Sequence, residues 1–204
     1  MKYFITFILL ITVLTYIQVM GTEFPLVLNI ALVILIFLTV FFWEYSVFKN
    51  NIKADFKIRS QRKTISILEI GMAIAWTSIV LFLSGNRITF SYLIFVFWSI
   101  PFSEFIMWFI YKNKKPYTIF IKGNELILNR RWNLKRNLTK LTQIQYDRFS
   151  KNLKLNFKSK SEIPIKSTEY NTDDIEKLLE ILIEKSENNI SIPNNYKPKI
   201  KNSC

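Results

Sequence analysis

Four long apolar runs occupy the first 111 of the 204 residues. These runs are Tyr3–Val19, Leu26–Val47, Ile65–Ser84 and Ile88–Tyr111. Each approaches the ~20 residues that a helix needs to cross a hydrocarbon core about 30 Å thick. Because unpaired backbone groups are not tolerated in lipid, each run is expected to be an α-helix. The predicted fold class is therefore a membrane α-helical region with four transmembrane helices, arranged as two hairpins, followed by a polar C-terminal half.

Positive charge is unevenly distributed among the connections. Lys49–Thr64 carries six Lys and Arg residues against one acid, Asp55, and three lysines lie in Lys112–Lys115. Gly21–Pro25 has no basic residue, and Gly85–Arg87 has one. Since Lys and Arg gather in cytoplasmic loops, we expect the basic loop 49–64, both termini and the C-terminal half to be cytoplasmic. The predicted location is the cell membrane, as a multi-pass protein.

The first run has a second interpretation, as a cleavable signal peptide, because it follows Met1-Lys2. It lacks an Ala-x-Ala-like cleavage site, and its apolar stretch is longer than the usual signal core, which favours a retained helix. Cleavage near Gly21 would leave three spans with the C-terminal half still cytoplasmic. The charge distribution is compatible with both interpretations.

Residue types that carry catalysis and metal binding are scarce. The chain has no histidine, its only cysteine is Cys204, and it has four glycines. The commonest general base and metal ligand is thus missing, an intrachain disulfide is impossible, and no phosphate-binding glycine loop is present. We therefore expect a non-enzymatic protein with no cofactor and no metal. An unusual enzyme acting on membrane lipids is a weaker hypothesis.

Three acidic residues lie inside the apolar runs, namely Glu44, Glu69 and Glu104. Ionisable residues in a membrane are costly and are candidates for function. Glu104 follows Pro101 by three residues, and proline tends to kink a helix, so this acid could mark a proton or cation site. All three acids also lie near the predicted inner ends of their runs. The favoured interpretation is a structural layer of ion pairs with the basic loop, and the alternative is a transport site.

The hydrophobic pattern changes from long blocks to short alternating runs at Tyr117, which predicts β-strands. Gly123-Asn124 separates the first two runs and has the composition of a two-residue hairpin loop. Six strands are predicted: Tyr117–Lys122, Glu125–Asn129, Trp132–Leu138, Leu141–Phe149, Asn152–Phe157 and Glu162–Ile165.

An amphipathic helix is predicted over Thr172–Ser186. Asn171 and Thr172 are good N-cap residues, and apolar residues recur at helical spacing after them. The following segment, Asn188–Cys204, is rich in Asn, Lys and Pro and is predicted to be a flexible tail. The predicted domain boundaries are thus 1–111 for the helices, 112–187 for a cytoplasmic α+β domain and 188–204 for the tail.

Antiparallel strands that end in one amphipathic helix resemble the pleckstrin-homology-like (PH-like) fold, over Lys115–Ser186. Attached to apolar helices, this domain is similar to the bacterial membrane-anchored PH-like proteins, although six predicted strands stand against seven in the family fold. The resemblance implies a protein-interaction or scaffold module. Lipid-binding members of the superfamily hold phosphoinositide with a long first hairpin loop. That site is not transferred here, because Gly123-Asn124 is too short.

A basic segment follows the predicted first hairpin and contains one tryptophan. Its residues are Arg130, Arg131, Trp132, Lys135, Arg136 and Lys140. Each Lys or Arg near an anionic leaflet contributes about 1 kcal/mol to membrane binding. The segment therefore predicts a surface that docks on anionic lipid headgroups. A solvated face and a site for an acidic protein partner are the alternatives, and no nucleic-acid recognition motif is present.

Two functional hypotheses follow from the sequence. In the first, the helices present a basic PH-like domain that docks on the membrane surface and recruits or regulates another membrane protein. In the second, the chain is a small channel, transporter or transporter subunit that uses Glu44, Glu69 and Glu104. The expected partners are the lipid bilayer with its anionic headgroups and another membrane protein, with a homo-oligomer as a further option.

Overall fold

The computed structural model describes residues 2–20, 25–50, 52–84, 91–186 and 190–193. The predicted start of the fourth run at Ile88, the cleavage position near Gly21 and Cys204 lie outside these residues. The chain divides into two compact units. The helical unit contains residues 1–49 and 63–113, and the sheet unit contains residues 50–62 and 114–204.

The helical unit is built from four α-helices in the described part of the chain. They are α1 (Lys2–Met20), α2 (Leu26–Lys49), α3 (Ile67–Ser84) and α4 (Ser91–Lys114). By length and composition, two of them are able to cross a membrane: α2, and α4 over Tyr92–Lys114. The apolar parts of α1 and α3 are shorter, over Lys2–Ile17 and Ile67–Phe82. Pro101 lies inside α4, and the helix continues through it.

Aromatic contacts join neighbouring helices of this unit. Phe37 of α2 lies 5.5 Å from Phe102 of α4 between ring centroids, and Trp76 of α3 stacks on Phe97 of α4 at 5.5 Å. Large apolar side chains are nevertheless exposed on every helix, for example Phe82, which is 87% exposed. These helices therefore have an apolar exterior as well as an apolar interior.

Seven antiparallel strands are present in the described residues of the sheet unit. The four-stranded sheet has the order β1 (Phe56–Arg59), β2 (Tyr117–Lys122), β3 (Glu125–Leu128), β4 (Leu134–Asn137). The three-stranded sheet has the order β5 (Leu141–Asp147), β6 (Asn152–Phe157), β7 (Lys160–Lys166). Helix α5 (Thr172–Glu184) follows, and its buried residues share one apolar core with both sheets.

Strand β1 is a difference from the sequence prediction, because it comes from the basic loop 49–64. Ile58 of this loop is fully buried in the core and pairs with Ile119 of β2. Lys57 and Arg59 alternate with it and lie over the Tyr117 ring, at 4.7 and 4.6 Å from its centroid. The loop therefore supplies the edge strand of a sheet whose other strands begin about sixty residues later.

Other sequence predictions for this unit agree with the structure or differ at their ends. The hairpin at Gly123-Asn124 is confirmed: Lys122 pairs with Glu125, and Gly123 has a φ of +54°, which glycine adopts without steric cost. The strand predicted over Leu141–Phe149 ends at Asp147. Within the predicted tail, Ser191 pairs in parallel with Gln143 of β5, so the described residues 190–193 have a defined place on this edge.

Candidate functional site

The basic segment predicted as a surface does not lie in one place. Arg130, Arg131 and Trp132 belong to the connection between β3 and β4, whereas Lys135 and Arg136 lie on β4. Lys140 lies beyond the other end of β4, in a short 3-10 turn. Strand β4 lies between residues 130–132 and Lys140. The structure therefore brings Arg130, Arg131 and Trp132 together and places Lys140 at the opposite end of the sheet.

Two of the predicted arginines are held within the sheet unit by strand β7. Arg130 donates to the carbonyl of Pro164 at 3.1 Å, and Arg136 donates to the Ser161 hydroxyl at 3.3 Å. Trp132 is 51% exposed, and Lys135 is exposed as well. Arg130 and Arg136 thus have a structural role in the fold, while Trp132 and Lys135 are exposed.

Tyr170 was not identified from the sequence, although it contacts the same segment. Its buried hydroxyl lies 3.0 Å from the Thr118 hydroxyl, and the Arg130 side chain is also hydrogen-bonded to it. Burial raises the pKa of Tyr170 above its ordinary value of 10.0, and the positive charge of Arg130 opposes this shift. Tyr170 therefore remains a neutral hydroxyl that helps to position Arg130.

The chain passes between the two units at three places, after residues 49, 62 and 113. The neighbouring residues of the sheet unit lie together. The Asn50 side-chain amide donates to the Asn129 side-chain oxygen at 2.8 Å, and the Asn129 backbone N–H donates to the Thr118 carbonyl at 2.7 Å. Ser60 N–H donates to the Pro116 carbonyl at 2.9 Å. We call this end of the sheet unit, where β1 and β3 end and β2 and β4 begin, the junction end.

The segment that follows β7 also lies at the junction end. Gln61 N–H donates to the Glu169 carbonyl at 2.7 Å, and the Arg62 Nε donates to the Thr168 carbonyl at 2.7 Å. Ser60, next to them, is almost fully buried. All three chain crossings, the Arg130–Trp132 loop and residues 167–169 therefore share one end of the sheet unit.

The helical unit contains a buried ionic cluster. The Lys63 ammonium binds a carboxylate oxygen of Glu44 and lies 3.5 Å from one of Glu104. Ser66 N–H donates to the other Glu104 oxygen at 2.9 Å. Both carboxylates are buried, with Glu44 on α2 and Glu104 on α4. Lys63 was identified from the sequence only as one of the basic residues of loop 49–64. In the structure it contacts both Glu44 and Glu104, two of the three candidate intramembrane acids.

Glu69, the third predicted acid, lies in the first turn of α3 and is half-buried. Its backbone N–H donates to the Ser66 hydroxyl at 3.4 Å, which is the arrangement of an N-cap serine before a helix. The acid also lies near the positive end of the helix dipole. The position of Glu69 is thus explained by the start of α3.

Within the part of the chain that the structure describes, no group of three or more His, Cys, Asp or Glu side chains could hold a metal ion. Comparisons with protein-family models, with curated proteins and with solved structures give no match to this chain.

Proposed function

We propose that this chain is a multi-pass membrane protein whose four apolar helices present a PH-like cytoplasmic domain at the membrane surface. The domain docks through its junction end on anionic headgroups and recruits or regulates another membrane protein. The single observation that carries the proposal is the position of the Arg130–Trp132 loop. It lies at the same end of the sheet unit as the three crossings to the apolar helices.

The apolar exterior of the helices supports a membrane location. A core helix of a water-soluble protein buries most of its side chains, whereas most residues of α2 and α4 are not buried within the protein. Contiguous exposed apolar surface of this extent is unusual in soluble monomers. Lipid is the environment in which such an exterior has no cost.

The strand count supports the PH-like assignment. The described residues contain seven antiparallel strands followed by one helix on a common core, and seven strands with one C-terminal helix is what the sequence resemblance implies. Strand β1, which was not among the six predicted strands, comes from the basic loop. Helices α3 and α4 therefore lie between β1 and β2 in the chain. In this proposal the domain is tied to the helices at three points of the chain, which keeps its junction end close to the bilayer.

The docking proposal is tested with the full chain in lipid nanodiscs. Asn133 is exposed next to Trp132, so Asn133→Cys in a Cys204→Ser background carries an environment-sensitive fluorophore. We expect higher emission in anionic than in zwitterionic nanodiscs, and we expect Arg131→Glu to remove the difference. Lys140→Glu is the matched control, because it changes the same charge at the other end of β4. Equal emission in both lipids would contradict the proposal.

Recruitment is tested by quantitative co-purification from native membranes. We expect a membrane protein that is captured by the wild-type chain and lost with Trp132→Ser, because an exposed tryptophan is a typical anchor of protein interfaces. Lys140→Glu again serves as control. The same set of captured proteins with all three chains would contradict recruitment through this loop.

The second candidate function is a small channel or transporter. It rests on one observation, which is that the buried carboxylates of Glu44 and Glu104 both contact the Lys63 ammonium. Ionisable residues inside a membrane are candidates for an ion or proton pathway. The same geometry satisfies the structural interpretation, in which Lys63 offsets the cost of burying the acids.

A further inference from the structure

The turn between β5 and β6 presents the most exposed aromatic side chain in the described part of the chain. Phe149 is 102% exposed, so its ring is not packed against the described residues of the protein. The ring therefore contributes nothing to the packing of either sheet. Its presence at this position is not explained by folding.

The backbone of this turn is held in place by hydrogen bonds. The Asp147 carboxylate accepts from the N–H groups of Phe149 and Ser150, at 3.0 and 3.2 Å. On the other side of the turn, the Lys151 carbonyl accepts from both the N–H and the hydroxyl of Ser167, at 3.1 and 2.6 Å. The backbone around Phe149 is therefore ordered. An ordered turn loses less conformational entropy when the Phe149 ring is buried against a binding partner.

The charges around the ring are positive. Arg148 and Lys151 flank the exposed position and are themselves exposed. The one acid of the turn, Asp147, accepts the two N–H groups and lies 3.5 Å from the Lys154 ammonium. Lys154 also lies 3.8 Å from Glu162 of β7, so the ammonium contacts both acids. An aromatic ring between cations is the composition of membrane-interface anchors.

The turn is hydrogen-bonded to the segment that follows β7, which lies at the junction end of the sheet unit. Ser167 binds Lys151, and the next two residues, Thr168 and Glu169, bind Arg62 and Gln61. Residue 62 is followed directly by the helical unit. A short series of hydrogen bonds therefore connects the Phe149 turn to the junction end.

We propose that the Phe149 turn inserts its ring into the anionic leaflet of the bilayer that holds the helices, while Arg148 and Lys151 bind the surrounding headgroups. This inference rests on the proposed membrane docking of the sheet unit and adds a second contact point to the Arg130–Trp132 loop. The loop supplies surface attraction, and the turn supplies penetration of the leaflet.

The test uses the full chain in nanodiscs with the fluorophore at Ser150→Cys, in the Cys204→Ser background, so that Phe149 is retained. We expect emission to rise about twofold or more from zwitterionic to anionic nanodiscs, because the probe moves into an apolar environment. Phe149→Ser should abolish the rise. A probe at Asn124→Cys, on the exposed β2–β3 turn, should give no rise.

The probe at Asn133→Cys separates the two proposals. A response at Asn133 with none at Ser150, or a response at Ser150 that survives Phe149→Ser, would overturn insertion of this turn and leave surface docking in place. A Ser150 response of equal size in zwitterionic nanodiscs would overturn the requirement for anionic lipid. No response at either position would overturn both proposals.

Discussion

The ammonium of Lys63 lies 3.5 Å from a carboxylate oxygen of Glu104, and it also binds Glu44. These three side chains join α2, α4 and the residues just before α3. Arg62, the preceding residue, binds Thr168 within the sheet unit. One residue of the basic loop thus stabilises the helices, and its neighbour stabilises the sheets.

Removal of the Lys63 charge is expected to destabilise the helical unit. Lys63→Met removes the ammonium that both buried carboxylates contact, and breaking a buried ion pair in this way costs roughly 3–5 kcal/mol. Unfolding of the full chain in mixed micelles measures this cost. Lys53→Met is the matched control, because Lys53 belongs to the same loop and is exposed. Equal stabilities of the two variants would contradict the role of Lys63.

Glu104→Gln separates the structural interpretation of this acid from the transport alternative. The amide oxygen can still accept from Ser66 N–H and Lys63, so we expect lipid-dependent emission at Asn133 to be unchanged. A transport function that uses the carboxylate predicts loss of proton or cation flux in liposomes. Measurable flux by the wild-type chain that Glu104→Gln eliminates would favour transport over docking.

Ile58→Ala is expected to destabilise the sheet unit, although the residue lies in a loop between two apolar helices. The Ile58 side chain is fully buried in the core, and such truncations cost about 2–5 kcal/mol. Limited proteolysis of the full chain should therefore cut residues 114–186 faster in this variant. The neighbouring substitution Lys57→Ala, at an exposed position of β1, should leave the cleavage rate close to that of the wild type.

The native cysteine provides a test of the proposed orientation. With the C-terminal half in the cytoplasm, Cys204 should react with a membrane-impermeant maleimide only after the cells are permeabilised. In a Cys204→Ser background, Gly21→Cys lies in the first predicted outer connection and should react in intact cells. Reaction of Cys204 in intact cells would contradict the orientation.

The Phe149 turn is expected to lose order at low pH. Hydrogen bonds from Ser150 are the main cause that lowers the pKa of Asp147 below its ordinary value of 3.8. A carboxyl with a lowered pKa contributes stability that is present above the unfolded value and is lost as the pH falls through the lower folded value. The protection factors of the Phe149 and Ser150 amides, which correct exchange rates for the intrinsic effect of pH, should therefore fall below about pH 4. Asp147→Asn should remove this pH dependence.

Features that rest on local patterns could be predicted from the sequence. The apolar helices α1 to α4, the Gly123-Asn124 hairpin and the amphipathic helix that begins at Thr172 each follow from residues that are close together in the chain. Glycine at the first hairpin position and apolar residues at helical spacing carry this information along a short stretch of chain.

The features that depend on residues distant in sequence, strand β1 and the ion pairs of Lys63, are visible only in the tertiary structure. Phe56–Arg59 is a four-residue segment rich in positive charge, and it becomes a strand because Ile58 is buried against β2, sixty-one positions away at Ile119. The ion pairs of Lys63 likewise depend on distant residues, because Glu44 and Glu104 lie on two different helices. A short charged segment has no local preference strong enough to fix its conformation, so burial and ion pairing with distant residues determine it.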